Sequence, residues 1–458
     1  MINKAKGTYD LYGIEGKKRL YINNLIQELM EKYNYEYIST PLFENSALFH
    51  RSVGETTDIV TKETYDFKDR GNRDNTLRPE GTAGVVRSYI ENKMYSDPSV
   101  PKKLWYYGPM YRYERPQSGR YREFYQFGCE VLGSEDPLVD AEIISIPVTL
   151  FRMLGLKGIK VNINSLGDNE SRENYKKALM DYLKPHINDL CEDCKTRYEK
   201  NPLRILDCKI DANNEILKNV PKTIDYLNEK SKEHFNKVLK YLEALEIEYK
   251  VNPNTIRGLD YYTHTVFEIE ADVEGFGSQN VMCGGGRYDN LVESLEGPKT
   301  KAVGFAIGIE RLMMALEYEK IKVVENLFTD CYILAMQEEQ KPFAFAITTS
   351  LRMLGLIADM DYQNRTLKAN FKQAERLNSR FMIIIGEDEV KNNYITIKDM
   401  KNKTEEKVEN TKVLEYIITR LEDNCSCDDK CSCDDECNCE DHCKCDCKED
   451  KECTCKEE

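Results

Sequence analysis

Apolar residues at Ile22, Leu25, Ile26, Leu29, Met30 and Tyr33 recur at three- and four-residue steps, a spacing that predicts an amphipathic helix over Lys17–Tyr33. The next run, YEYISTPLFE, reads as a strand stopped at Pro41. From Leu104 to Gly133, the runs YYGPMYRYE and REFYQFGCEVLG flank a polar, basic segment, RPQSGRYR, which is the pattern of two long strands joined by a loop. Ile159, Val161 and Ile163 alternate as a further strand. Residues 169–250 then turn mostly helical and lysine-rich and read as an insertion between sheet elements. Strand patterning resumes at Thr265–Ala271 and Gln279–Cys283, and Ala302–Tyr318 begins strand-like and ends helical.

A different rhythm starts near Thr329. CYILAM and FMIIIG read as short buried strands separated by two helical stretches and the segment LIADMDY, and YITIKDM with EEKVE suggests a closing hairpin. Alternation of strands and helices over this length indicates a compact α/β domain, here placed at residues 326–421 after a first domain at residues 1–325. Residues 422–458 are a repeat: CSCDDK, CSCDDE, CNCEDH and CKCDCK begin at Cys425, Cys431, Cys437 and Cys443, six residues apart. Almost no apolar residue lies in this tail, so it cannot bury a core and is expected to be disordered unless a metal folds it.

Charge changes the picture only at the C-terminus. The chain of 458 residues has a net charge of −15, but residues 422–458 hold 15 acidic residues and 5 lysines, so that all but −5 belongs to the tail. A mildly acidic body remains compatible with RNA binding through local basic patches. The N-terminus, MINKAKGTYDLYG, carries no apolar signal-peptide core, and no run approaches the roughly 18 apolar residues that cross a bilayer. A cytoplasmic protein without a membrane partner is expected. Eleven of the 17 cysteines lie in the tail, and the other six are scattered through the body.

Three segments carry recognisable chemistry. TLRPEGTAG at Thr76–Gly84 places the carboxylate of Glu80 and the hydroxyl of Thr82 beside glycines that allow close backbone approach, which suits the α-ammonium of an amino acid; a capped turn is the plain alternative. GPMYRYERPQSGRYREFYQFGCE at Gly108–Glu130 sets four arginines among tyrosines on a strand–loop–strand, and guanidinium forks bind phosphate bidentately. Lys368, Lys372, Arg376 and Arg380, at i, i+4 spacing in a helical stretch, form a basic stripe suited to an RNA backbone or simply to solvent. A fourth group, CEDC at Cys191–Cys194 with Cys208 and His186, reads as reduced, partly buried thiols, with a zinc site as the alternative.

RGLDYYTHTVFEI at Arg257–Ile269 and CGGGRYDNL at Cys283–Leu291 resemble two signature peptides of histidyl-tRNA synthetases. The arginine-rich hairpin resembles motif 2 of class II aminoacyl-tRNA synthetases, AVGFAIGIERL at Ala302–Leu312 resembles their motif 3, and the strand ending at Pro41 the end of motif 1. The match spans about residues 3–420. It implies an α+β chain: an antiparallel-sheet catalytic domain with a helical insertion, followed by an α/β anticodon-binding domain. It also implies a histidine–tRNA ligase using ATP and Mg²⁺, with tRNA-His as partner and a homodimer built at motif 1. Residue by residue, the resemblance implies that Glu80, Thr82, Gln126 and Glu130 hold the histidine ammonium and ring, and that Tyr262 and Tyr288 frame the imidazole. Arg112 and Arg257 would face the α-phosphate from opposite sides. Glu114, Arg120 and Arg311 would contact the rest of the nucleotide, and Arg115 and Gln117 the tRNA acceptor end. A regulatory relative that binds histidine without charging tRNA shares this catalytic domain, but the intact Arg112, Arg257 and Arg311 set and the C-terminal domain favour the enzyme.

The tail departs from the family. Its cysteines, Cys425, Cys427, Cys431, Cys433, Cys437, Cys439, Cys443, Cys445, Cys447, Cys453 and Cys455, resemble metallothionein-like clusters that take Zn²⁺ or Cu(I); an expanded low-complexity repeat without a role is the alternative.

Overall fold

A computed structural model describes residues 2–422 apart from 54–56, 58, 100, 209, 212–213, 254, 256–260, 274–275, 277–279 and 325–327. Arg257, Gln279 and the eleven tail cysteines therefore lie outside the described residues. The chain divides into two compact units, Met1–Glu325 and Asn326–Glu458.

The first unit is organised on an eight-stranded sheet. In chain order its strands, together with those of a small three-stranded sheet, are β1 (Glu36–Tyr37), β2 (Phe43–Asn45), β3 (Tyr65–Lys68), β4 (Asp74–Leu77), β5 (Lys102–Tyr111), β6 (Glu123–Leu132), β7 (Ile159–Ser165), β8 (Tyr249–Val251), β9 (Thr263–Ala271), β10 (Val281–Arg287) and β11 (Ala302–Gly308). The large sheet runs β1-β5-β6-β11-β10-β9-β7-β8, and the small one β2-β4-β3. All pairings from β5 to β7 are antiparallel; only the edge strands β1 and β8 pair in parallel.

Alternation along the strands separates core from site. On β6 the odd positions Phe127, Cys129 and Val131 enter the main hydrophobic cluster, as do Val303, Phe305 and Ile307 on β11. That face is covered by the helices Gly13–Lys32, Pro137–Met153, Glu229–Ala244 and Ile309–Tyr318, which supply Ile26, Ile144, Leu242 and Leu312 among others. Side chains at even positions leave the opposite face. There β11 presents small residues, Ala302, Gly304, Ala306 and Gly308, and the last three line a cavity above the sheet.

The predicted first helix is present, extended to Gly13–Lys32. The predicted strand YEYISTPLFE is not one element. It is split into β1 and β2, which join different sheets, and Thr40 between them accepts the Arg78 guanidinium at its carbonyl (2.9 Å) and hydroxyl (3.1 Å) instead of pairing with a strand. The insertion is helical and carries its own small core around Tyr175, Leu179, Leu183 and Ile205. Asp168 and Asn228 cap its first and last long helices by accepting from the Ser171 and Ser231 N–H groups.

The second unit is a five-stranded sheet of β12 (Thr329–Ala335), β13 (Ala358–Met360), β14 (Ser379–Ile385), β15 (Tyr394–Asp399) and β16 (Thr404–Glu409), ordered β13-β12-β14-β15-β16. β12, β13 and β14 are parallel, and β15 and β16 form the closing antiparallel hairpin. One face packs on the helices Lys341–Met353 and Val413–Glu422, the other on Leu367–Arg376. No described helix is long and apolar enough to cross a membrane.

Candidate active site

A cavity of about 440 Å³ opens over β6, β10 and β11 of the first unit. Among the residues lining it are ten that the sequence singled out: Glu80, Thr82, Arg112, Glu114, Arg120, Gln126, Glu130, Tyr262, Tyr288 and Arg311. Residues as distant in sequence as Arg112, Glu130, Tyr288 and Arg311 thus meet because β5, β6, β11 and β10 are consecutive neighbours in the sheet.

Glu130 forms the floor. Its Oε1 accepts the Thr82 hydroxyl at 2.7 Å and its Oε2 accepts the Tyr288 hydroxyl at 2.5 Å. Glu130 is 1% exposed, and burial raises its carboxyl to about pKa 8, more than the two hydroxyls can offset. The carboxyl fits because Gly304 stands opposite it in register: a Cβ on Gly304 would lie 1.8 Å from Glu130 Oε2. Glu80 is also buried and its pKa raised by burial, but both its oxygens are used locally, accepting from the Thr82 N–H at 2.7 Å and the Ala83 N–H at 2.8 Å. Glu80 thus satisfies the first amides of the helix Thr82–Glu91, whereas Thr82, the residue the plain reading makes the cap, gives its hydroxyl to Glu130 instead. Tyr261 and Tyr262 lie 4.8 Å apart between centroids with their rings tilted by 50°, and Tyr261 meets Tyr288 edge-on at 5.6 Å, giving the floor an aromatic wall.

The upper wall is cationic. Arg112 donates from Nε to the Pro79 carbonyl (2.9 Å), lies over the Phe124 ring (5.2 Å) and sits 3.9 Å from Glu114. Arg120 is 3.4 Å from the same carboxylate. Arg311 donates to the Val281 carbonyl at 2.7 Å. Among the described residues, two buried polar atoms on the lining have no hydrogen-bond partner, the donor Arg120 Nε and the acceptor Gln126 Oε1. An orphan donor among the arginines and an orphan acceptor on the same lining give the cavity groups for an anion and for an N–H-bearing group.

Arg115 and Gln117 are exposed at the tip of the β5–β6 loop, where Gln117 and Arg120 exchange backbone hydrogen bonds. Lys368, Lys372 and Arg376 are exposed on one helix, but Arg380 is not on it. The helix ends at Arg376, Asn378 turns the chain at φ +49°, and Arg380 lies on β14 paired with Asp399 at 3.1 Å. The basic stripe is therefore three residues long.

Sequence reasoning missed two supports. Gly304 gave no signal until the register placed it against Glu130. Arg287, inside CGGGRYDNL, is 1% exposed and donates from Nε to both Asp140 oxygens (2.9 and 2.8 Å) and from Nη1 and Nη2 to the carbonyls of Ser134 and Asp136 (both 2.9 Å). It ties β10, which leads into Tyr288, to the helix Pro137–Met153. Glu310, next to Arg311, is likewise structural, accepting from Arg19 at 2.8 Å and from the Tyr125 N–H at 3.0 Å.

Residues 7–312 match the family model for histidyl-tRNA synthetase, and residues 330–420 match that for an anticodon binding domain. The chain belongs to the histidyl-tRNA synthetase family. It is 50% identical over 403 residues to a histidine–tRNA ligase of Anoxybacillus flavithermus, covering 88% of this chain and 95% of that one. To the histidine–tRNA ligase of Bacillus subtilis it is 47% identical, covering 87% and 94%. The crystal structure of apo histidyl-tRNA synthetase from S. aureus superposes with a TM-score of 0.79 at 42% identity, covering 91% of this chain and all of that one. A Bacillus halodurans chain described as an ATP phosphoribosyltransferase regulatory subunit/histidyl-tRNA synthetase shares the fold, with a TM-score of 0.61 at 21% identity and coverage of 84% and 98%. The synthetase match thus spans both units, and neither family model reaches the cysteine-rich tail.

Proposed function

We infer that this chain is a histidine–tRNA ligase: it activates L-histidine with ATP, releasing pyrophosphate, and transfers the histidyl group to the 3′ end of tRNA-His. The observation that carries the reading is the buried Glu130 carboxyl, held by Thr82 and Tyr288 beneath a wall of arginines, in a chain of the histidyl-tRNA synthetase family.

In this reading Glu130 accepts an imidazole N–H, Tyr262 and Tyr288 enclose the ring, and the orphan Gln126 Oε1, with Thr82 and Glu80, receives the α-ammonium. A pocket built to bond a polar ring leaves its own buried groups unpaired when an apolar rival enters, which discriminates by about 10⁴-fold or more. The substrate carboxylate, ionised near pH 7, attacks the α-phosphorus; a P–O bond forms, the bond to pyrophosphate breaks, and no proton moves. Arg112, with Arg257 from the signature peptide, stabilises the charge that builds at that phosphorus, while Arg120 and Arg311 hold the rest of the nucleotide. Glu114 and Glu268 line the cavity and offer the hard oxygen donors that would hold a Mg²⁺, which would supply positive charge beside the phosphates. In the second step the ribose hydroxyl attacks the carbonyl carbon, AMP leaves, and an adenylate phosphate oxygen takes the hydroxyl proton.

Arg115 and Gln117 at the hairpin tip are assigned to the tRNA acceptor end, and Lys368, Lys372 and Arg376 to the anticodon arm. A cytoplasmic homodimer completes the reading, and the tail is proposed to bind several Zn²⁺ or Cu(I) ions. ATP–pyrophosphate exchange with each of the 20 amino acids tests the activation step. Exchange with histidine alone is expected; histidine binding without exchange would assign the chain to the regulatory relatives. Arg257→Ala is expected to abolish exchange while leaving the fold intact, and near-normal exchange would remove its α-phosphate role.

A further inference from the structure

The geometry points to a structural zinc site in the insertion, made by the Sγ atoms of Cys191, Cys194 and Cys208 and a carboxylate oxygen of Asp211. These four donor atoms all lie within 4.8 Å of one another, the one such group of three or more among the described residues. Cys191 Sγ is 3.6 Å from Cys208 Sγ, and Cys208 Sγ is 3.7 Å from Asp211 Oδ2. A zinc ion at about 2.3 Å from each sulfur of a tetrahedron sets the sulfurs about 3.8 Å apart, so the cage already has the required edge. A disulfide needs sulfurs about 2.05 Å apart, and all three cysteines are free.

Local structure explains how the cage arises. Cys191 is the N-cap of the helix Glu192–Lys200, which places Cys194 in its first turn. A 3₁₀ segment, Pro202–Asp207, returns the chain to Cys208, and Asp211 follows in the next turn. Backbone amides then point at the donors: the Asp211 N–H donates to Cys208 Sγ at 3.5 Å, the Cys191 N–H to Asp211 Oδ2 at 3.0 Å, and the Cys194 N–H to Cys191 Sγ. Amides aimed at thiolate and carboxylate ligands are the usual supports of a metal centre. His186, the fourth donor suggested by sequence, instead lies beside the Tyr182 ring at 5.8 Å.

Burial supplies the second argument. Cys194 is 0% exposed, Cys208 4% and Asp211 9%. A carboxylate enclosed with three thiols is costly to bury, and a divalent cation would offset that cost. Three soft sulfurs and one oxygen suit Zn²⁺ over Mg²⁺ or Ca²⁺. The metal would also complete a core in which two of the eight buried residues are these cysteines, a small module of the size that metals commonly stabilise. Its first helix donates from Arg172 to the Tyr262 carbonyl at 3.3 Å, so the ion would brace one wall of the cavity from behind.

The test uses the full-length chain with the eleven tail cysteines replaced by serine, so that tail metal does not contribute. After purification without chelator, one zinc per chain is expected by mass spectrometry, with X-ray absorption showing about three sulfurs near 2.3 Å and one oxygen near 2.0 Å. Cys194→Ser with Cys208→Ser should lose the zinc, whereas Cys331→Ser in the second unit should keep it. Because the double variant removes buried side chains, Co²⁺ titration of the starting protein and of Asp211→Asn gives an independent reading. Sulfur-to-cobalt charge transfer should persist in both, with the d–d bands shifted in Asp211→Asn. Absence of zinc together with no charge-transfer band, zinc that survives in the double variant, or a Cys191–Cys208 disulfide by mass would each overturn the site.

Discussion

Replacing Glu130 by Gln tests the electrostatics of the pocket before any substrate is added. Burial lifts the Glu130 carboxyl to about pKa 8, whereas in the unfolded chain it titrates near 4.3. Between those values the folded protein holds a proton that the unfolded chain has released. The stability this contributes is complete below the unfolded pKa and is lost as pH rises through the folded one. At 1.36 kcal/mol per unit, raising the pH from about 6 to about 9 crosses some two units of that window and costs about 2.7 kcal/mol. Gln keeps the shape and cannot ionise, so the variant should lose about that much less stability over the same range. Trp105 is the single tryptophan of the chain and lies on β5, so its fluorescence during urea unfolding reports the catalytic unit. The comparison is between the pH slopes of the two proteins without ligand, which cancels every other titrating group. Equal slopes would refute the argument, since they would mean that the carboxylate is ionised in the folded protein at neutral pH.

Gly304→Ala forces a Cβ to 1.8 Å from Glu130 Oε2, so stability should fall by about 1–3 kcal/mol and histidine-dependent exchange by roughly 100-fold; wild-type exchange would show that the carboxyl moves freely. Asp140→Ala leaves Arg287 charged and buried, and should cost about 3–5 kcal/mol in urea unfolding, with part recovered by replacing both residues with leucine. Changing Lys368, Lys372 and Arg376 together to glutamate should raise the KM for tRNA and flatten its salt dependence while exchange without tRNA is unchanged. An unchanged tRNA KM would leave that helix face to solvent.

Much of the site was readable because its chemistry is local. The arginine hairpin shows itself through alternation plus a basic loop, and β5 and β6 bear that pattern out. What escaped depended on partners distant in sequence. Arg287 meets Asp140 across 147 positions, and Gly304 matters only because the register sets it against Glu130. Asp211 was invisible as a donor because a lone aspartate beyond Cys208 has no spacing signature, whereas His186 beside C-x-x-C does. Arg380 was placed on the helix by counting in fours past Asn378, whose left-handed turn ends the count. Pro41 marked a break correctly, but the strand before it pairs over two residues only.

The clasp on Glu130 also bears on when the protein becomes functional during synthesis. Its Thr82 partner precedes it by 48 residues, its Tyr288 partner follows by 158, and Gly304 comes later still. A nascent chain that has emerged as far as Leu132 carries the arginine hairpin, the carboxyl and its Thr82 partner, but neither Tyr288 nor Gly304 to close the other side of the pocket. The missing wall arrives only after the whole insertion has been made. Substrate therefore cannot stabilise a half-made chain, and a stalled fragment gains no protection from the cell's histidine pool.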